Sequence, residues 1–199
     1  MTEAAKKKAT YEDLYSLPEN MLGEIIAGEL IATPRPSRRH ASTTTLLTSR
    51  LVPPYYFGDS GGPGGWIILL EPELELGANI LVPDLAGWRE ARFIWEEEQN
   101  PISVIPDWVC EVLSPQTARL DRVKKMPQYA EHGVRFLWLV DPNLLTLEAY
   151  RLENSRWTLL GSYAENDRVR AEPFQELEIH LSDLWPKTIQ DGSSPPESV

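Results

Sequence analysis

The sequence predicts a single α/β (α+β) domain, a mixed β-sheet flanked by helices with extra hairpin strands. Two patterns and the punctuation between them point to this. Short apolar runs with period-two alternation recur, as in GEIIAGELIATP, WIILLEPELEL, ILVPDLAGW, ISVIPDWVCEVL and FLWLVDP. Residues 37–51, SRRHASTTTLLTSRL, suit a polar-faced helix, and Thr117 to His132 carries Leu120, Val123, Met126, Tyr129 and Ala130 at helical spacing. Gly- and Pro-rich segments separate the runs, no repeat is visible, and 199 residues at 42% hydrophobic content suffice for one core.

Taken in order, YEDLYSLPE after Thr10 reads as a short helix that Pro18 ends, with Thr10 as N-cap. GEIIAGELIATP alternates around Gly28 and reads as a hairpin or a bent strand pair. The helix over 37–51 is expected to stop at Pro53 and Pro54. After the loop GDSGGPGG, the three runs WIILLEPELEL, ILVPDLAGW and ISVIPDWVCEVL read as strands. Gly133 closes the helix that follows, and Pro127 predicts a kink or a late start within it. VRFLWLVDP, TLEAYRLENSRWTLLGSYA and RVRAEPFQELEIHL then read as further strands, some in hairpin order. The domain spans 10–186, between a flexible tail over 1–9 and a polar, Pro/Ser-rich tail over 187–199 expected to be disordered.

Composition narrows the function. A single cysteine, Cys110, lies within an apolar run, which excludes a disulfide scaffold and a Cys-rich zinc site. No stretch approaches the roughly 18 apolar residues of a membrane span, so a soluble, cytoplasmic protein without membrane contact is expected. The net charge of −11 argues against loose, sequence-blind adhesion to nucleic acid. Local basic clusters remain, at Lys6 to Lys8, at Arg35, Arg38 and Arg39, and at Arg119, Arg122, Lys124 and Lys125.

One strand poses a chemical question. PDWVCEVLSP reads as buried, yet Glu111 stands at its centre, and burying an unpaired carboxylate costs several kcal/mol. Alternation puts Glu111 on a face with Val109 and Leu113, opposite Trp108, Cys110 and Val112. If the ILVPDLAGW strand is its neighbour, Asp84 and Glu111 meet on one side of the sheet. Two such carboxylates repel unless a cation lies between them, and Mg²⁺, with Mn²⁺ as a substitute, suits hard oxygen ligands and a phosphate substrate. Phosphodiester hydrolysis follows from that chemistry once a lysine assists. A lysine two residues beyond Glu111 is missing, because position 113 is leucine; the next helix offers Lys124 and Lys125. About 100° separates these two around a helix, so one of them faces inward, and Lys125 lies nearer the apolar stripe.

PD at 83–84, EVLSP at 111–115, the lysine of DRVKKMPQYAEHGV and the strand FLWLVDP together resemble the Uma family, assigned as endonucleases within the restriction-endonuclease-like PD-(D/E)XK superfamily. TYEDLYSLPE, GEIIAGELI and PRPSRRH extend the resemblance over roughly Thr10 to Trp185. It implies a nuclease-like core with its lysine displaced from strand to helix, a DNA substrate, Asp84 and Glu111 as metal ligands, and Lys125 as the catalytic cation. It also implies that Glu24 completes the site and that His40 has a supporting place. A homodimer is implied by analogy alone.

Structural readings compete at each position. Glu111 could pair with Arg119 or Arg122, and Asp84 could cap a turn after proline; Asp107, at the strand's start and about 13 Å from Glu111 at strand rise, is expected to be a turn residue. Glu71, Glu73 and Glu75 alternate onto one face, most simply the wet one, with Glu73 the weaker candidate among them for reaching a metal. Lys124 is expected to face solvent or a phosphate, Cys110 to be buried and inert, and Trp88, Trp95, Trp108 and Trp138 to serve core and interface. GDSGGP at 58–63 matches the nucleophile loop of chymotrypsin-like proteases, with Ser60 as nucleophile. Too little chain precedes it to build that fold, so a Gly-rich connection is the better reading. An inactive nuclease-fold binding or regulatory module is the remaining alternative, against which the retained Asp84, Glu111 and Lys125 count.

Overall fold

The computed structural model describes residues 8–93, 95 and 100–186, the side chain of Ser60 excepted. The expected tails lie outside that range apart from Lys8 and Ala9, and Ala9 donates its backbone N–H to the Gly28 carbonyl at 2.9 Å. Helix α1 (Tyr11–Leu14) begins at Thr10, whose own N–H donates to Asp13 Oδ2 at 2.8 Å. Strands β1 (Met21–Ile26) and β2 (Glu29–Pro34) pair antiparallel around Ala27 and Gly28, both at positive φ (53° and 79°). That two-residue turn makes the hairpin reading correct.

Helix α2 (Arg38–Tyr55) buries His40, Thr43, Thr44, Leu47, Leu51 and Tyr55 along one stripe. It does not stop at Pro53 and Pro54. A proline φ is compatible with a helix, and the missing donors fall in the last turn, after which Tyr56 N–H closes back onto the Val52 carbonyl at 2.9 Å.

The runs read as single strands break in the middle. WIILLEPELEL divides into β3 (Trp66–Leu70) and β4 (Leu74–Leu76), and ILVPDLAGW into β5 (Asn79–Leu81) and β6 (Leu85–Arg89). Each break falls at a proline, Pro72 or Pro83, which cannot donate to a ladder, and Glu71 turns with φ at 46°. Of ISVIPDWVCEVL, only β7 (Trp108–Val112) is a strand. The first halves and second halves therefore serve different sheets. A small antiparallel sheet has the order β2-β1-β5-β4.

The main sheet has six strands in the order β10-β9-β8-β7-β6-β3, built from β8 (Phe136–Asp141), β9 (Thr146–Glu153) and β10 (Arg156–Ala164) beside the others. Among the described residues its only parallel pair is β7 with β8. The crossover between them is helical: α3 (Ala118–Leu120), a π-helical turn over Asp121–Lys125, and α4 (Met126–Glu131). Pro127 at the start of α4 lacks the N–H that would bond back to residue 123, so the expected kink takes the form of a widened turn. RVRAEPFQELEIHL yields only a two-stranded ribbon, β11 (Arg168–Val169) with β12 (Ile179–His180).

The main sheet separates two cores. On one face Trp108, Cys110, Val112 and Trp138 pack with α2 and the C-terminal segment. On the other, Val109, Leu113, Leu137 and Leu139 pack with α4 and with Leu74, Leu76 and Leu81 of the small sheet. Trp88, Trp108 and Trp138 are buried as expected, but Trp95 is 63% exposed. Phe174 sits among the rings of Tyr55, Trp66, Trp108 and Trp138, with centroids 4.6, 4.8, 4.9 and 5.5 Å away. Phe174→Ala would leave a cavity at the meeting point of four rings and should cost about 3–5 kcal/mol, read as a lowered urea midpoint with unchanged m-value.

Candidate active site

Glu24 lies on β1, Asp84 just before β6, and Glu111 near the C-terminal end of β7, where the β6–β7 register places Leu85 opposite Cys110. The Asp84 side chain extends that ladder, accepting the Val112 backbone N–H on Oδ2 at 2.7 Å. Glu24 reaches across from the small sheet and accepts the Val82 N–H on Oε1 at 2.8 Å. The π-helical turn presents Asp121 at its start and Lys125 at its end, both buried. His40 enters from the first turn of α2, its backbone N–H capped by Ser37 Oγ at 3.3 Å. All six side chains line one cavity of about 60 Å³.

Lys125 is the hub. Its Nζ lies 2.9 Å from Glu111 Oε1, 3.0 Å from Glu24 Oε1 and 3.9 Å from Asp121 Oδ1, and it donates to the Val82 carbonyl at 3.0 Å. Tyr129 Oη donates to Glu111 Oε1 at 2.6 Å, and His40 Nε2 lies 3.1 Å from Asp84 Oδ1. Among the described residues no hydrogen bond uses Oε2 of Glu24 or of Glu111. The Nδ1 of His40 is buried without a partner among them.

Acids outnumber cations here, and the proton affinities follow. Burial pushes the Glu111 carboxyl well up; Lys125 pulls it down, and Asp121, Asp84 and Glu24 push it up again. Burial would lower Lys125, but the charges of Glu111 and Glu24 override it and hold the ammonium well above the usual lysine range. Burial works against His40 too, yet the bond to Asp84 and its charge raise the imidazole. Burial pushes Asp121 up to about 6, with Lys125 opposing and Asp84 adding.

Of the residues singled out in the sequence, Asp84, Glu111, Lys125, Glu24 and His40 are brought together. Lys124 faces outward and pairs with Glu29 Oε2 at 3.0 Å. Glu73 does not line the cavity; it accepts from Tyr11 Oη at 2.5 Å, whereas Glu71 is at the cavity wall. Glu111 does not pair with Arg122, which bonds Glu148 Oε2 at 2.8 Å. Asp107 is no surface turn cap: it is 2% exposed, accepts the Arg89 N–H at 2.9 Å and pairs with Arg92. Leu113 is buried in the apolar core and does not line the cavity. Cys110 is fully buried, its thiol pushed well up by burial. GDSGGP forms a 3₁₀ turn over Asp59–Gly61 after Gly58 at φ 70°, and His40 is engaged with Asp84. The reading of the sequence missed Asp121 and the bond from Tyr129. The signal for Asp121 was its place four residues before Lys125, one helical turn along the same face.

Among the described residues no three of His, Cys, Asp and Glu form a ready-made metal cage, and no helix is long and apolar enough to cross a membrane. Two carboxylates, Glu24 and Glu111, instead lie beside Lys125 at the edge where two sheets part. The chain belongs to the Uma2 family, described as "Putative restriction endonuclease", whose model matches residues 9–182. A solved structure from Anabaena variabilis ATCC 29413, titled a putative nuclease belonging to DUF820, is similar at 25% identity with a TM-score of 0.68. The likeness covers 89% of this chain and 97% of that one. Comparison with curated proteins finds no match.

The raised Asp121 carboxyl makes stability depend on pH. Between 3.8 and about 6 the folded chain binds a proton that the unfolded chain releases, so the contribution is full below 3.8 and lost as pH rises through 6. Asp121→Asn should therefore exceed the parent in stability by about 1–3 kcal/mol at pH 8 and match it near pH 4, measured as urea midpoints at both values.

Proposed function

We propose that this chain is an endonuclease that hydrolyses DNA phosphodiester bonds with Mg²⁺ or Mn²⁺. The observation that supports this best is the convergence of Asp84, Glu111 and Lys125 on one cavity in a chain of this family. The residues fit a hard dication, which needs one or two carboxylates and completes its shell with water and phosphate oxygen. Asp84 and Glu111 would hold it. When bound, such an ion polarises the phosphate and makes a coordinated water more acidic.

The remaining work falls to side chains already in place. Lys125 keeps its proton, and its three N–H bonds are taken by Glu111, Glu24 and the Val82 carbonyl, so it assists the attacking water through its positive charge, which favours negative charge growing on the phosphate, and not as a base. Glu24 and the Val82 carbonyl hold that ammonium at 3.0 Å each. His40 fixes the orientation of Asp84, and Tyr129 that of Glu111. In the reaction the water oxygen bonds to phosphorus as one P–O ester bond breaks. The water proton passes to solvent, and the departing oxygen takes one from it.

Metal-dependent cleavage of single-stranded, double-stranded and branched DNA tests the reading. Asp84→Ala and Lys125→Ala should each lower the rate by about 10²–10³-fold, and chelation should abolish it. Because Lys125→Ala leaves two buried carboxylates unanswered, it should also cost about 3–5 kcal/mol, so rates are compared at a temperature where circular dichroism shows both variants folded. Undiminished cleavage by both variants would remove these residues from the mechanism.

A further inference from the structure

A second cavity, of about 340 Å³, opens directly beside the first, and Leu22, Arg35, Glu71 and Val82 line both. Its volume falls within the roughly 300–1,000 Å³ that suits a small aromatic ligand. Its outer wall is α1. Tyr15, just past the end of that helix, is 78% exposed, and its ring is braced by Tyr11, with centroids 5.6 Å apart and planes at 88°. Tyr11 is itself fixed by its bond to Glu73. A large aromatic ring held from behind with its other side in solvent is a stacking platform.

The lining decides what stacks there. Glu19, Glu71 and Glu73 make this groove acidic, so its walls repel a phosphate but accept hydrogen bonds from amino groups. Arg35 is the only cation in the lining, and it has no hydrogen-bond or ion-pair partner among the described residues. An uncharged, planar, amine-bearing ring joined to a phosphate that reaches Arg35 meets all three demands. In a duplex, both the face and the amino edge of a base are occupied by its neighbours; in an unpaired nucleotide they are free.

We propose that this groove receives an unpaired nucleobase of the DNA next to the bond being cut. Tyr15 stacks on the base, the glutamates accept from its exocyclic amino group, and Arg35 holds the linking phosphate where the two cavities meet. The protein then favours single-stranded or frayed DNA over blunt duplex, and cytosine or adenine over thymine in the groove. This rests on the nuclease reading above.

The test is fluorescence anisotropy of the full chain in Ca²⁺ buffer with short labelled single strands of dC, dA or dT and a blunt duplex, alongside cleavage of the same DNAs in Mg²⁺. The parent should bind dC and dA strands more tightly than dT or duplex. Tyr15→Ala should weaken strand binding by about 5–100-fold and lower the strand-to-duplex ratio, while Tyr15→Trp should restore it. An unchanged ratio in Tyr15→Ala overturns the inference, and if the parent still cuts DNA the nuclease reading stands without it. A parent that neither binds nor cuts any of these DNAs overturns both.

Discussion

An ammonium has three protons to donate, and a buried one must place all of them. Lys125, with 4% of its side chain exposed, has three acceptors within 3.0 Å: Glu111 on the main sheet, Glu24 on the small sheet and the carbonyl of Val82 between the sheets. Each acceptor belongs to a different part of the chain, and the helix that carries the lysine is the crossover between β7 and β8. One charge thus fixes how two sheets and a helix meet. The apolar residues supply most of the favourable free energy of the fold, but a hydrophobic surface tolerates small slides, whereas these bonds do not.

The same junction explains the place of the prolines. β3 runs on into β4 and β5 into β6, each leaving one sheet for the other at Pro72 or Pro83. The departing strands remain joined at that level, where Glu71 N–H donates to the Asp84 carbonyl at 3.0 Å. Separation of the sheets opens a gap, and the residues bordering the breaks, Glu71, Val82 and Asp84, line it. Pro83 therefore does more than precede Asp84 in a motif. It ends one ladder so that the next residue can begin another with its side chain, through the Oδ2 bond to Val112 N–H.

Much of this was legible in the residues. Period-two alternation assigned Glu111 to the face of Val109 and Leu113, and the two cores divide β7 in that way. The helical stripe separated Lys125 from Lys124, one buried and one paired with Glu29 on the surface. Glu24 and His40 came from family resemblance alone, since nothing in their local pattern marks them. The breaks within WIILLEPELEL and ILVPDLAGW were not legible as a change of sheet, because both sheets bury apolar residues toward the same core on either side of each break, and the shift of the core-facing set from Ile67 and Leu69 to Leu74 and Leu76 shows only once both cores are formed. The π-helical turn was hidden for a similar reason: over five residues an apolar stripe does not distinguish 3.6 residues per turn from a wider winding. Asp121 reads in sequence as an ordinary polar residue of a helix, and only the packing of that turn against the sheets buries it.

The charges within the cavity are not neutralised alike. Glu24, Glu111 and Asp121 lie within 4 Å of an ammonium that stays protonated, so their counter-charge is permanent. Asp84 has no such partner among the described residues; its ion-pair partner is His40, whose positive charge depends on pH even with its affinity for protons raised. The cluster thus has a fixed part, which the fold requires, and a conditional part at Asp84, which faces the cavity. A cation bound as proposed would meet at Asp84 a carboxylate whose counter-charge varies with pH. Because the Lys125 network holds the surrounding walls by bonds that do not involve Asp84, a ligand bound there as proposed would leave those walls in place.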